Sequence, residues 1–246
     1  MSEKAKHKKK RKKLEAKENT IDGFNFTKVN IRLSMSPKDY KELILKMENN
    51  SKEILLLSKR MTVMFKSELM IQEMAKKRFG EGSPHIEAYI DEHTLRKASF
   101  FSALESGCKI YEIHNKAELE KYLKERSHVG IGQVGYEHII QMVKNWKKTM
   151  HDYPKQYFVA LTEESIPFKY ELVNREWMVI HESVGAQSDQ RMNALFINSK
   201  EIVKDVRKDF FSIWERTNNV DKDKSNIDTW LDKIIKVIKG ENEINE

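Results

Sequence analysis

Three glycines, Gly130, Gly132 and Gly135, stand at G-x-G-x-x-G spacing in "SHVGIGQVGYEHII". That spacing can cradle a pyrophosphate, because glycine lets backbone N–H groups approach the ligand ahead of a helix. The same chemistry needs a buried strand before the first glycine. Upstream runs "NKAELEKYLKERS", whose Ala117, Leu119, Tyr122 and Leu123 recur at helical spacing. The glycines are therefore expected to join two helices, and the dinucleotide reading fails on its context. A second group is His85, Asp91, Glu92 and His93. Read as an alternating strand over 85–90, "HIEAYI" separates the two histidines by about 26 Å at ~3.3 Å per residue, too far for one metal. Asp91 and Glu92 then become the cap and first turn of the next helix. No metal site and no cofactor are expected, since zinc-type Cys/His spacing is absent. "HES" at 181–183 offers a histidine and a serine without a G-x-S-x-G elbow. His138 and His151 share one helix and are expected to cap or to meet solvent.

The elements that must position any site follow from hydrophobic rhythm. Helices are expected over 36–50, 62–79, 92–107, 136–154 and 201–217. Strands are expected at 53–58, 85–90 and 108–114, in the runs "QYFVALTEE", "PFKYELVNR" and "EWMVIHES", and at 191–199. Strands alternating with helices imply an α/β fold with a mixed, partly parallel central sheet flanked by helices. Trp146, Trp177 and Trp214 each lie in an apolar periodic segment and read as core. The lone Cys108 opens an apolar strand, where a small buried thiol is the usual role, and a single cysteine fits a reducing cytoplasm. No apolar run approaches the ~18 residues of a membrane span.

The chain of 246 residues carries a net charge of +7, and that charge is concentrated. Residues 1–20 hold nine Lys or Arg against three Glu, so six of the seven positive charges lie there and the rest of the chain is nearly neutral. "KAKHKKKRKK" has no apolar face to bury, so residues 1–24 are expected to form a disordered basic tail. Its Lys8, Lys9, Lys10, Arg11, Lys12 and Lys13 would attract polyphosphate in a salt-sensitive, sequence-independent way. The alternative is a tail that only solubilises.

The order of elements resembles one half of a phospholipase D-like domain. The residues that carry the resemblance are "SKEILLLSKR", "LRKASFFSALESGCKIYEI", "FKYELVNREWMVIHES", "ALFINSKEIV" and the closing "FFSIW" helix, within roughly 36–217. The form it is most similar to is the degenerate effector domain of archaeal and bacterial transcription regulators. That resemblance implies an H-x-K-x4-D motif at the start of "PFKYELVNREWM". Phe168 stands at the histidine position, Tyr170 at the lysine position and Arg175 near the aspartate, so phosphodiester chemistry is expected to be lost. It also implies a homodimer, a non-enzymatic regulatory role tied to transcription, and a domain able to sense a small-molecule ligand. The rival expectation is a phosphodiesterase or nuclease with rearranged groups at His114, Lys116 and His181; His114-Asn115-Lys116 is a bare H-x-K with Lys121 at the aspartate position.

The boundaries expected are 1–24 for the tail, 25–217 for the α/β domain, and 218–246 for a linker and C-terminal amphipathic helix. Residues 28–34 read as an edge strand or arm of the main sheet; a ribbon-helix-helix opening is disfavoured by the strand-like run after residue 50. In "SNIDTWLDKIIKVIKG", Ile227, Trp230, Leu231, Ile234, Ile235 and Ile238 form one stripe ended by Gly240. Docking on its own domain is the commoner fate of such a helix, and a partner-binding helix is the third functional reading.

Overall fold

A computed structural model describes residues 20–21, 24–25, 30–35, 45, 48, 51–58, 63–128, 136–166, 168–181 and 192–240. The chain divides into Met1–Asn30 and Ile31–Glu246. In the first unit, β1 (Thr20–Ile21) and β2 (Phe24–Asn25) form a short antiparallel pair.

The second unit is built on a mixed sheet. Its strands are β3 (Asn30–Met35), β4 (Glu53–Ser58), β5 (Lys109–Asn115), β6 (Tyr157–Thr162), β7 (Lys169–Val173), β8 (Trp177–His181) and β9 (Met192–Asn198), in spatial order β3-β9-β8-β7-β4-β5-β6. β4, β5 and β6 are parallel, while β4–β7, β7–β8 and β8–β9 are antiparallel. The strand at 30–35 is an outer strand of this sheet, as the edge-strand reading expects.

The helices bounded within the described residues are α1 (Glu68–Phe79), α2 (His85–Glu105), α3 (Lys116–His128), α4 (Tyr136–Asp152), α5 (Lys200–Arg216) and α6 (Lys224–Ile238). One core on one sheet face takes Ile54, Leu56, Ile110, Tyr157, Val159 and Val173 from the strands. The helices add Met70, Phe100, Leu119, Trp146 and Leu231, so five of these six described helices pack there. The other face is covered by α5, where Tyr111 stacks on Phe158 at 4.7 Å and meets Phe211 and Trp214 edge-on.

Local chemistry sets the boundaries. Ser67 caps α1 by accepting from the Met70 N–H at 3.2 Å, so α1 starts at residue 68, after a single 3₁₀ turn at Val63–Phe65. Gly80 ends it at φ 83°, a left-handed value that costs a side-chain-bearing residue. Gly107, at φ 85°, likewise turns the chain from α2 into β5.

The strand expected at 85–90 is overturned. Residues 85–105 form one uninterrupted helix that begins directly after Ser83-Pro84. Ile86, Tyr89 and Ile90 fit helical spacing as well as alternation, and proline before the first turn decides between them. Asp91 and Glu92 therefore lie inside α2 and do not cap it. His85 and His93 are separated by about 12 Å along the helix axis. They sit in a ring series with Phe79 and Tyr89, the His93–Tyr89 centroids being 4.1 Å apart.

The C-terminal helix packs into the domain core. Ile227, Leu231, Ile234 and Ile238 are all buried against it, and Lys147–Asp232 (2.7 Å) and His151–Asp228 (2.5 Å) tie α6 to α4. Leu231→Ala should therefore cost about 2–5 kcal/mol in urea unfolding, the range for a fully buried leucine. Val237→Ala on the same helix is 45% exposed and should move stability by less than about 0.5 kcal/mol. Equal effects would mean that the helix does not dock as described.

Candidate functional site

Polar side chains occupy inward positions of the sheet where aliphatic ones would be expected. Strand register places Glu171, Leu56, Glu112 and Val159 side by side across β7, β4, β5 and β6. One step nearer the edge where the parallel strands end, Ser58 pairs with His114, and Lys169 pairs with His181. β7 is antiparallel to β4, so its first residue, Lys169, lies at that same edge. In α/β sheets this edge is where ligand sites form.

The first assembly runs through β5. Trp146 Nε1–H donates to the Tyr157 hydroxyl at 2.7 Å. An indole N–H can only donate, so the Tyr157 O–H is left to donate to Glu112 Oε2, which it contacts. Burial, and then the Glu112 charge, push the Tyr157 pKa well up. His114 Nδ1–H donates to the Ser58 carbonyl at 3.0 Å, which fixes its tautomer on that side. His114 Nε2 lies 3.1 Å from Glu112 Oε1, and no better-aligned hydrogen bond forms at either atom among the described residues. Both side chains are fully buried. One proton between them is the arrangement that avoids two lone pairs facing each other in a dry core.

The second assembly is centred on Arg96 of α2. Its guanidinium lies 3.4 Å from Glu171 Oε2 and 3.7 Å from Glu48 Oε1, all three side chains being buried. Burial first, and the Glu171 charge second, push the Glu48 carboxyl up to about 7, with Arg96 acting in the opposite direction. Lys169 lies beside this group. It is half-buried, and it makes no hydrogen bond or ion pair among the described residues. Burial of its ammonium and the neighbouring Arg96 charge lower its pKa to about 8, while Glu171 and Glu112 act to raise it.

The structure separates the residues that the sequence offered for catalysis. His114 faces the core. Lys116 heads α3 and bonds Asp221 at 2.7 Å. His181 ends β8, three strand spacings from β5, or about 14 Å by backbone position at ~4.8 Å each. Phe168 is 46% exposed and packs its ring on Tyr170, a buried residue whose hydroxyl is pushed up by burial and by Asp209 of α5. Arg175 is exposed in the β7–β8 turn. Lys8, Lys9, Lys10, Arg11, Lys12 and Lys13, and the glycines at 130, 132 and 135, lie outside the described residues. The helices α3 and α4 on either side of those glycines match the helix–loop–helix context expected for them. Among the described residues no three His, Cys, Asp or Glu side chains converge as metal ligands, and no helix is long and apolar enough to cross a membrane.

Sequence reading missed Glu48, Arg96, Glu112, Lys169 and Glu171. The signal was present in two strands. In "KIYEIH" and "KYELV", a period of two places Glu112, His114, Lys169 and Glu171 on the side of the core-facing Ile110 and Val173, and a charge at an inward position requires a partner.

No protein-family model and no curated protein matches the chain. Solved structures to which its backbone is similar include TrmBL2, an archaeal chromatin protein with a novel mode of DNA binding, at 13% identity and TM-score 0.40 over 87% of this chain and 63% of that one. Nuc from Salmonella typhimurium, a phospholipase D family member, is 12% identical with TM-score 0.42 over 78% of this chain and 97% of that one. Phosphatidylserine synthase of Haemophilus influenzae is 12% identical with TM-score 0.46 over 96% of this chain and 51% of that one. The chain thus spans less than two thirds of the first and third of these proteins.

Proposed function

We propose that this chain is a non-enzymatic regulatory protein, transcription-associated, whose α/β domain binds or dimerises while its basic N-terminal tail holds it near nucleic acid. The observation that carries the non-enzymatic reading is the enclosure of His114. A nucleophilic or proton-transferring histidine needs an approachable nitrogen, and here Nδ1 is bonded to the Ser58 carbonyl and Nε2 is against Glu112, with no part of the residue exposed. Phe168 and Tyr170 support it, since phenylalanine has no nucleophilic atom and a neutral phenol cannot supply the positive charge of a lysine. The nucleic-acid reading is supported by the six net positive charges of residues 1–20. A homodimer belongs to the same proposal.

The enzymatic part is tested with bis(p-nitrophenyl) phosphate. The full chain should turn it over no faster than buffer, and His114→Ala should not change that rate. Turnover above buffer that is lost in His114→Ala or Lys116→Ala would restore the phosphodiesterase reading.

A further inference from the structure

We propose that Ser67 and His138 form a nucleophile–base pair, and that Ser67 is an acyl-acceptor site for an activated ester or thioester carrying a small apolar acyl group. The inference stands apart from the proposed regulatory role. It depends neither on the tail nor on the loss of phosphodiester chemistry, and acylation leaves a modified chain without turnover.

The pairing carries it. Ser67 Oγ, before α1, lies 2.9 Å from His138 Nδ1 in the first turn of α4. The same oxygen accepts from the Met70 N–H at 3.2 Å as the cap of α1. The hydroxyl's own proton has no other acceptor among the described residues, so it is directed at Nδ1, and a neutral His138 carries its proton on Nε2. A helix cap needs only the serine oxygen. The imidazole nitrogen that receives the hydroxyl proton is the added feature, and it is the arrangement in which a general base activates a serine. No described residue bonds Nε2, so the pair is a dyad without a third, orienting group.

Access separates this pair from the enclosed His114. Ser67 and His138 are half-buried, and Glu68, Leu69, Tyr136 and Glu137 beside them are exposed. Leu69 is 48% exposed and Tyr136 47%, high values for large apolar side chains, and each stands within one helical turn of the pair. They suit an apolar acyl group. The carboxylates of Glu68 and Glu137 disfavour an anionic one.

In the transfer, Ser67 Oγ bonds to the carbonyl carbon while His138 Nδ1 takes the hydroxyl proton. The N–H groups that open α1 follow the serine and can receive the charge developing on the carbonyl oxygen. The bond from carbon to the leaving alcohol or thiol then breaks, and the imidazolium returns its proton to the departing oxygen or sulfur. The products are acyl-Ser67, the free alcohol or thiol, and neutral His138.

The probe is p-nitrophenyl butyrate on the full chain, with acylation of residue 67 followed by peptide mass spectrometry. Butyryl-Ser67 should form about 100-fold faster in the wild type than in His138→Asn, in line with the contribution of a general base. Asparagine keeps an acceptor for the hydroxyl but cannot take its proton, so a purely structural pairing would leave the two rates equal. A second comparison needs only the wild type: butyrate should acylate Ser67 faster than the anionic mono-p-nitrophenyl succinate. The absence of butyryl-Ser67, equal rates in wild type and His138→Asn, or succinate reacting as fast as butyrate would each overturn the proposal.

Discussion

Glu112→Ala is expected to destabilise the protein by about 3–5 kcal/mol, while Glu112→Gln stays within about 1 kcal/mol of wild type. The carboxylate lies between the Tyr157 hydroxyl and His114 Nε2, and among the described residues Nε2 has no other hydrogen-bond partner. Alanine strands the Tyr157 hydroxyl and His114 Nε2 in the buried core, and leaves a cavity beside Trp146. Glutamine repeats the pattern: its carbonyl accepts from Tyr157 and its amide donates to Nε2 of a neutral His114. Guanidinium unfolding of both variants at pH 7 checks the pair. A glutamine variant as unstable as the alanine one would mean that the ionised carboxylate itself, and not the hydrogen-bond pattern, is what the core requires.

Arg96→Met should cost a similar amount, about 3–5 kcal/mol, because it leaves Glu48 and Glu171 facing one another without their shared cation. The same site gives a pH dependence of definite sign. Glu48 titrates at about 7 in the fold against 4.5 as a free side chain. A carboxyl raised in this way favours folding most below pH 4.5, and the advantage is lost as pH rises through 7. By pH 8 the penalty for ionising it is about 3 kcal/mol. Glu48→Gln removes this titration. Its stability relative to wild type should grow from near zero at pH 4.5 to about 3 kcal/mol in its favour at pH 8, read from unfolding midpoints at a series of pH values. A difference that is flat with pH would mean that Glu48 ionises freely and is not held between Glu171 and Arg96.

The architecture was legible because its signals are long and redundant. The stripes of α4, α5 and α6 and the apolar run of β4 each leave one reading, and the mixed sheet follows from their order. Residues 85–90 were not legible because six residues satisfy both periods, and the deciding Ser83-Pro84 lies outside that window. The polar clusters were hidden for a different reason. Glu112 and Glu171 each look like a solvent-facing residue of a half-buried strand, and only the pairing of β4 with both β5 and β7 shows that their side of the sheet is interior. Arg96 lies in α2 and Glu48 precedes β4, both far from Glu171 in sequence, and no local spacing links them to it. His114 and Lys116 are two residues apart in sequence, yet His114 is buried with Nδ1–H on the Ser58 carbonyl while Lys116 bonds Asp221, and no local spacing shows that division.

Under the proposed function, a nearly neutral, non-catalytic domain is brought to nucleic acid by its basic tail. The most direct measurement is fluorescence anisotropy of labelled DNA and RNA at low and high salt, comparing the full chain with one lacking residues 1–20. Binding by the full chain should weaken steeply with salt, by an order of magnitude or more between about 50 and 200 mM, and should disappear with the tail. Binding that persists without residues 1–20, or that is absent from the full chain, would contradict it.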